Sequence, residues 1–353
     1  MHRSTGRRRP RGSSGALLAL LVLLLSMGSA NAGSAAVSGG ATAGAVEGVP
    51  RFGHVFLIIG ENTTYSHLTT TNAPYLMSTL RPRSAWLSQY YSATHWSQAN
   101  YVALTTGQFT KCEQQDFGVA CHQNVDNLFH QIDVSQQTWT TWLEGGTAKC
   151  DTGSGSTCPP QGPCPLTGFY TTGNPAILFD NVEGAGGVWS ATAPSQECLS
   201  SDIYASAQTD ANPMKLFDRA LTNGTAPTFN LILPNGCEDG EANCKPVNNR
   251  ITQFDDFLAR EVPKIMASPS YGSNGVIIIT YDEDQRTGGV AKKNGFGSGG
   301  HVVCAIISPL ARAGDYSTKA YAYSVLRTME DGMALTGHVG NANAVAPINE
   351  IWK

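Results

Sequence analysis

Carboxylates, an amide, a hydroxyl and an imidazole recur in this chain at the ends of apolar runs. Glu61 and Asn62 follow the run that closes at Gly60, and Asp239 with Glu241 follows Thr228 to Leu233. Asp282, Glu283 and Asp284 follow the β-branched run Gly275 to Tyr281, and His301 follows the glycine-rich stretch Gly288 to Gly300. Oxygen donors with a single nitrogen donor suit a hard or borderline divalent cation such as Mg, Mn, Ca, Fe or Zn. Ser97 opens a helix-like stretch that closes at Gly107. A cation beside that hydroxyl would lower its pKa and hold its oxygen for attack. The same charge would stabilise a phosphoryl group in transfer, where positioning and electrostatics dominate catalysis. Free N–H groups of the helix start would cradle phosphoryl oxygens, and Asn100, one turn on, would donate to the same group. Every one of these residues also has an ordinary reading. Ser97 is a helix cap, Glu61 the partner of an arginine, Asp282 a cap, and His301 a structural histidine.

These residues act together only if the fold gathers them. The run ending at Gly60 is continuously apolar, as in a strand buried on both faces of a parallel sheet. Ser84 to Ala93, Thr228 to Leu233, Gly275 to Tyr281 and Val302 to Ser308 read as further strands, with Gln136 to Leu143 open between strand and helix. Helices are expected from Thr71-Asn72-Ala73-Pro74 onward, from at or near Ser97 to a close at Gly107, and at Asp126 to Ile132, Pro213 to Leu221, Ile251 to Met266 and Ala320 to Leu335. Alternation of this kind implies right-handed crossovers: an α/β fold, a mainly parallel sheet with helices on both faces. Ligands in such sheets sit beyond the carboxyl ends of the strands. Glu61, Asn62, Ser97, Asp239, Asp282, Glu283 and His301 would then share one rim. Lys149 to Ser200 has little periodicity and four cysteines, and reads as a pinned excursion that shapes substrate access.

The chain has 353 residues, nine cysteines and a formal net charge of −4. That charge argues against nucleic acid as a partner, which would want a basic face. Arg7 to Arg11, the apolar Ala16 to Leu25 and the small-residue Ala30-Asn31-Ala32 read as a signal peptide over residues 1–32, too short to span a bilayer as an anchor. Residues 33–50 read as a flexible leader and 51–353 as a single domain, secreted. In an oxidising compartment most cysteines should pair. Cys112 with Cys121 and Cys237 with Cys244 close small loops, Cys150, Cys158, Cys164 and Cys198 offer two more bridges, and Cys304 is left unpaired and buried.

In order along the chain, His54-to-Asn62, His95-to-Gly107, Leu233-Pro234-Asn235 with Cys237 and Asp239, Thr280-to-Glu283, Gly300-His301-Val302 and Tyr323-to-Asp331 resemble the phosphoesterase family of acid phosphatases and phospholipase C enzymes, within the alkaline phosphatase superfamily. The resemblance implies an alkaline phosphatase-like three-layer sandwich and a metal-dependent phosphoester hydrolase working through a phosphoserine intermediate. It implies Ser97 as nucleophile, Asn100 as a phosphate contact, and Glu61, Asn62, Asp282 and Glu283 as ligands of the ion that activates Ser97. Asp239 and His301 fall where two-metal relatives hold a second ion, but Glu241 and Asn243 stand where many relatives carry a histidine, so one firmly bound ion is expected. A phosphorylated small molecule or a phospholipid head group would be the substrate. Two other classes compete: a metal-free serine esterase with His301 as base, and a catalytically silent binding protein. The chain has no Gly-x-Ser-x-Gly elbow, no Walker phosphate loop and no His-Glu-x-x-His helix.

Overall fold

Strand β1 (Val55–Gly60) lies near the middle of an eight-stranded sheet and is buried along its whole length. The computed structural model describes residues 45–109, 111–112, 116, 118–152, 171–207, 210–285 and 296–353. The assigned signal peptide, most of the leader, Cys158, Cys164 and most of the glycine-rich stretch lie outside them.

The remaining strands are β2 (Ala85–Leu87), β3 (Tyr90–Tyr91), β4 (Trp139–Leu143), β5 (Asp202–Tyr204), β6 (Phe229–Leu233), β7 (Val276–Tyr281), β8 (Cys304–Ile307), β9 (Gly314–Tyr316) and β10 (Ala320–Tyr321). The sheet order is β5-β4-β6-β1-β7-β8-β2-β9. Only β8 runs against the rest, being antiparallel to both β7 and β2. The helices are α1 (Ser97–Thr106), α2 (Leu128–Val134), α3 (Asp180–Glu183), α4 (Gln196–Ser201), α5 (Lys215–Asn223), α6 (Arg250–Ala267) and α7 (Ala322–Gly332).

Side chains alternate between the two faces of a strand, and both faces here are covered. Ile59 and Thr280, register partners on β1 and β7, face Tyr101 and Leu104 of α1 and Ala322 of α7. Gly60 and Tyr281, the next pair, face Phe254 of α6. Gly60 is required there: a Cβ would stand 2.7 Å from the Tyr281 ring and 2.9 Å from the Phe254 ring. Helix α6 buries Phe254, Phe257, Leu258, Val262 and Ile265 on one stripe, and Asn249 caps it by accepting from the N–H groups of Ile251 and Thr252. Helix α1 is buried from Gln98 to Thr106, and Gly107 ends it in the left-handed conformation with φ of 69°.

Several expectations differ from what is found. Ser84 to Ala93 is two short strands, because β2 joins the main sheet while β3 pairs with β10. The helix after Pro74 is a six-residue π-helix, Tyr75–Leu80, whose first N–H groups are received by Asp255 of α6 at 2.8 and 2.7 Å. Within Lys149 to Ser200, the described part is pinned by a disulfide as expected but only partly a cover: residues 185–188 are exposed, whereas residues 176–179 are not. Ala176, Ile177, Leu178 and Phe179 are buried in the core, and Cys150 is bonded to Cys198. The end of the assigned leader is also packed, with Val49 buried and Glu47 paired to Arg327 at 2.6 Å. Cys112–Cys121 and Cys237–Cys244 are bonded and Cys304 is a buried free thiol.

Candidate active site

Register places the first two acids. Because Gly60 pairs with Tyr281, Glu61 and Asp282 leave the sheet side by side, and the Asp282 N–H still donates to the Gly60 carbonyl at 2.9 Å. The β6 exit joins them through the Glu61 N–H, which donates to the Asp239 carbonyl at 2.7 Å. Cys237–Cys244 closes the loop that carries Asp239. Arg250, at the start of α6, draws the two exits together by donating to the carbonyls of Glu61 (3.3 Å), Gly240 (2.6 Å) and Asn62 (2.8 Å) and to the Thr63 hydroxyl (3.1 Å).

Ser97 is the first residue of α1, and its Oγ donates to Glu61 Oε2 at 2.8 Å. Tyr101, one turn on and on the same helix face, donates its hydroxyl to Glu61 Oε1 at 2.6 Å. Asp282 Oδ1 accepts from the N–H groups of Asn62 (2.8 Å) and Glu283 (2.6 Å), while Oδ2 is buried without a hydrogen-bond partner. Asp282 also borders a void of about 10 Å³, room for one water. Asp239 Oδ1 accepts from the Glu241 N–H at 2.7 Å. Asn62, at φ of 50°, donates its side-chain amide to Glu241 at 2.7 Å and to Glu61 at 3.3 Å.

Three buried carboxylates therefore act on one another, and one of them, Glu61, receives the Ser97 hydroxyl. Burial pushes the Glu61 carboxyl well up, and Asp282, Asp239 and Glu241 add to this. Burial likewise raises Asp239, and it lifts Asp282 to about 6 although Ser97 and nearby N–H groups favour its charged form. Among the described residues no Lys or Arg forms an ion pair with Glu61, Asp239 or Asp282. Like charges at such a site must share protons or a cation. The donors fit a divalent cation: all are oxygens, all three carboxylates are buried, and one oxygen is unpartnered. Their oxygens do not, however, all lie within 4.8 Å of one another; among the described residues the one set of three that does is Cys150, Cys198 and Asp202, whose sulfurs are joined to each other.

Other expected site residues are engaged elsewhere. Asn100 ties down its own loop, accepting from the Thr94 N–H (2.9 Å) and donating to the carbonyls of Thr94 (2.7 Å) and Trp96 (3.4 Å). Glu283 accepts from Asn100 at 3.3 Å and lies 3.2 Å from His95 Nδ1; burial, followed by Asp282 and Asp116, pushes it up to about 10. His301 stacks between Tyr65 (4.2 Å) and Tyr91 (5.1 Å), with Nε2 3.0 Å from the Ser88 carbonyl. No hydrogen bond joins Asn100, Glu283 or His301 to Ser97 or Glu61. At the helix start the Gln98 N–H is received by Asp116 at 3.0 Å, so a carboxylate stands where a phosphoryl oxygen was expected. Tyr101, Arg250, Asp116 and His95 are the additions that sequence reasoning did not single out. Of these, only Tyr101 carried a signal, its spacing of four from Ser97.

A mostly parallel sheet covered on both faces is a fold this chain shares with solved structures. The structure of a protein in the alkaline phosphatase superfamily from Vibrio parahaemolyticus superposes with a TM-score of 0.55, covering 84% of this chain and 69% of that one at 11% identity. Residues 60–336 match the Phosphoesterase family, and the chain belongs to it. It is a hydrolase of phosphoric esters. It is 24% identical over 316 residues to the phosphatidylinositol-3-phosphatase of Mycobacterium tuberculosis, spanning 87% of this chain and 85% of that protein. It is 22% identical over 247 residues to a probable acid phosphatase of Kluyveromyces lactis, covering 69% of this chain but half of that protein.

Proposed function

We propose that the protein is a secreted, metal-dependent phosphatase that transfers the phosphoryl group of a phosphomonoester to Ser97 and then to water. The observation that carries this reading is the Ser97 hydroxyl donating to Glu61 Oε2 at 2.8 Å on a rim shared with Asp239 and Asp282. Glu61, Asn62, Asp239 and Asp282 would hold the divalent cation, which would supply positive charge to the transferring phosphoryl group. Glu61 accepts the Ser97 proton at Oε2 as the Oγ–P bond forms, and the P–O bond on the opposite side breaks, its oxygen leaving as the alkoxide and taking a proton from water. Tyr101 fixes the Glu61 carboxylate, and Asn100 with Glu283 holds the Thr94–Trp96 turn that presents Ser97. Hydrolysis of the Ser97 ester by water returns the hydroxyl.

The names of the two relatives support a monoester substrate, a phosphorylated small molecule or a phosphorylated lipid head group. Three disulfides support an oxidising compartment. No helix among the described residues is long and apolar enough to cross a membrane. The alternative with His301 as base is disfavoured by its stacking and its contact with the Ser88 carbonyl.

The test compares p-nitrophenyl phosphate, its bis-ester and p-nitrophenyl acetate, with and without a chelator. Chelator-sensitive release from the monoester is expected; acetate cleavage that survives chelation would favour the metal-free esterase. In Ser97→Ala, turnover should fall by at least about a thousandfold with metal content, read by elemental analysis, nearly unchanged. Full activity in that variant refutes the role of Ser97.

A further inference from the structure

Trp96 precedes Ser97 in a conformation that belongs to glycine. Its φ is 83°, far from what a bulky side chain adopts freely. Elsewhere the chain uses glycine at comparable angles, as at Gly240, Gly297 and Gly300. The turn at residue 96 is held through its carbonyl, which receives the Asn100 amide at 3.4 Å and the Ala99 N–H at 3.1 Å. Strain of this kind persists where surrounding groups enforce it, typically at functional sites.

Among the described residues the Trp96 ring differs from every other indole in the chain. The chain has six tryptophans. Trp86, Trp139, Trp142, Trp189 and Trp352 each pack against another ring and donate the indole N–H to a protein acceptor. Among the described residues Trp96 makes neither contact and is 38% exposed, the one aromatic side chain among the exposed large hydrophobics. A residue needed only for its turn would be glycine; a residue needed for the core would be buried. We infer that the Trp96 ring is a platform for the leaving group, and that it selects phosphomonoesters of aromatic alcohols by stacking on their flat face. This rests on the reading of Ser97 as the attacking residue. Ring-on-ring stacking of this type is worth roughly tenfold in affinity.

Two variants separate ring from backbone. Trp96→Gly keeps the positive φ and removes the ring, while Trp96→Phe keeps a ring. The ratio of kcat/KM for phenyl phosphate to that for glycerol 2-phosphate should fall about tenfold in W96G and recover to within threefold of wild type in W96F. Using each protein's own ratio cancels the difference in intrinsic reactivity of the two esters. A ratio unchanged within twofold in W96G, even with both activities lowered, overturns the proposal and leaves Trp96 a prop for the turn. Binding gives a readout free of turnover: the Kd of phenylphosphonate relative to methylphosphonate should rise about tenfold in W96G. If wild type hydrolyses neither ester, the phosphatase reading fails, and the phosphonate ratio still decides the role of Trp96.

Discussion

Removing one oxygen tests whether the Glu61 carboxylate is the working centre. In Tyr101→Phe the hydroxyl that donates to Glu61 Oε1 at 2.6 Å is lost, while the buried ring stays in place. Glu61 is already held well above its ordinary range, by burial first and then by Asp282, Asp239 and Glu241, and the Tyr101 hydrogen bond is what opposes this. A hydrogen bond to a buried charge is worth about 1.5–3 kcal/mol, a factor of roughly 10 to 150 in the population of the ionised form. On the proposed mechanism the ionised form would both accept the Ser97 proton and offer oxygen to a cation. The variant should therefore lose roughly 10- to 150-fold in kcat/KM for p-nitrophenyl phosphate at neutral pH, with the acid limb of its pH profile moved to higher pH. The direction is fixed: taking away a donor to the anion raises the carboxyl's pKa further, so a higher pH is needed to ionise it. Profiles over about pH 5 to 9, with a thermal melt to show that both proteins are folded, make the measurement. A kcat/KM within twofold of wild type and an unmoved acid limb would refute the argument, since Glu61 would then be either unaided by Tyr101 or unnecessary.

Arg260 pairs with Glu144 (2.6 Å), Glu238 (2.7 Å) and Glu261 (2.6 Å), and the side chains of Glu144 and Glu261 are fully buried. Arg260→Ala leaves those carboxylates without their guanidinium and should cost about 3 kcal/mol of stability, read as a lower urea midpoint; a change below about 0.5 kcal/mol would show the network to be incidental. Asp202, which accepts from Thr141 and from Asn174 (2.9 and 3.1 Å), is raised by burial to about 7. Its folded pKa exceeds its unfolded one, so the folded state binds the proton more tightly and this contribution to stability is lost as pH rises from about 4 to about 7. Asp202→Asn should show a weaker fall in urea midpoint across that window than wild type; parallel curves would sink the assignment.

Apolar runs, with the polar residues directly after them, made much of this protein legible. Val55–Gly60, Phe229–Leu233 and Val276–Tyr281 are strands because almost nothing polar interrupts them, and a polar residue at the end of such a run has to emerge at the sheet rim. The positions of Glu61, Asp282 and Ser97 on that rim came from local pattern alone. What escaped depends on partners far away in sequence. Nothing near Asn100 announces that its amide closes the Thr94 loop, and nothing near His301 announces Tyr65 and Tyr91 on its two faces. Asp116 reaches the start of α1 from a segment without periodicity. Residues 176–179 read as cover because the glycines and prolines around them hide four consecutive buried side chains. The break of Ser84 to Ala93 into two strands reflects two separate sheets competing for one stretch.

The bond between Cys237 and Cys244 spans seven positions and encloses Asp239. A ring that small limits how far the enclosed acid can wander even in the unfolded chain. The arm whose Asp239 carbonyl receives the Glu61 N–H is thus bent by a covalent link as well as by its hydrogen bonds. A thiol-rich surrounding would lengthen that arm and leave the fold's central strands untouched, so activity would fail sooner than architecture.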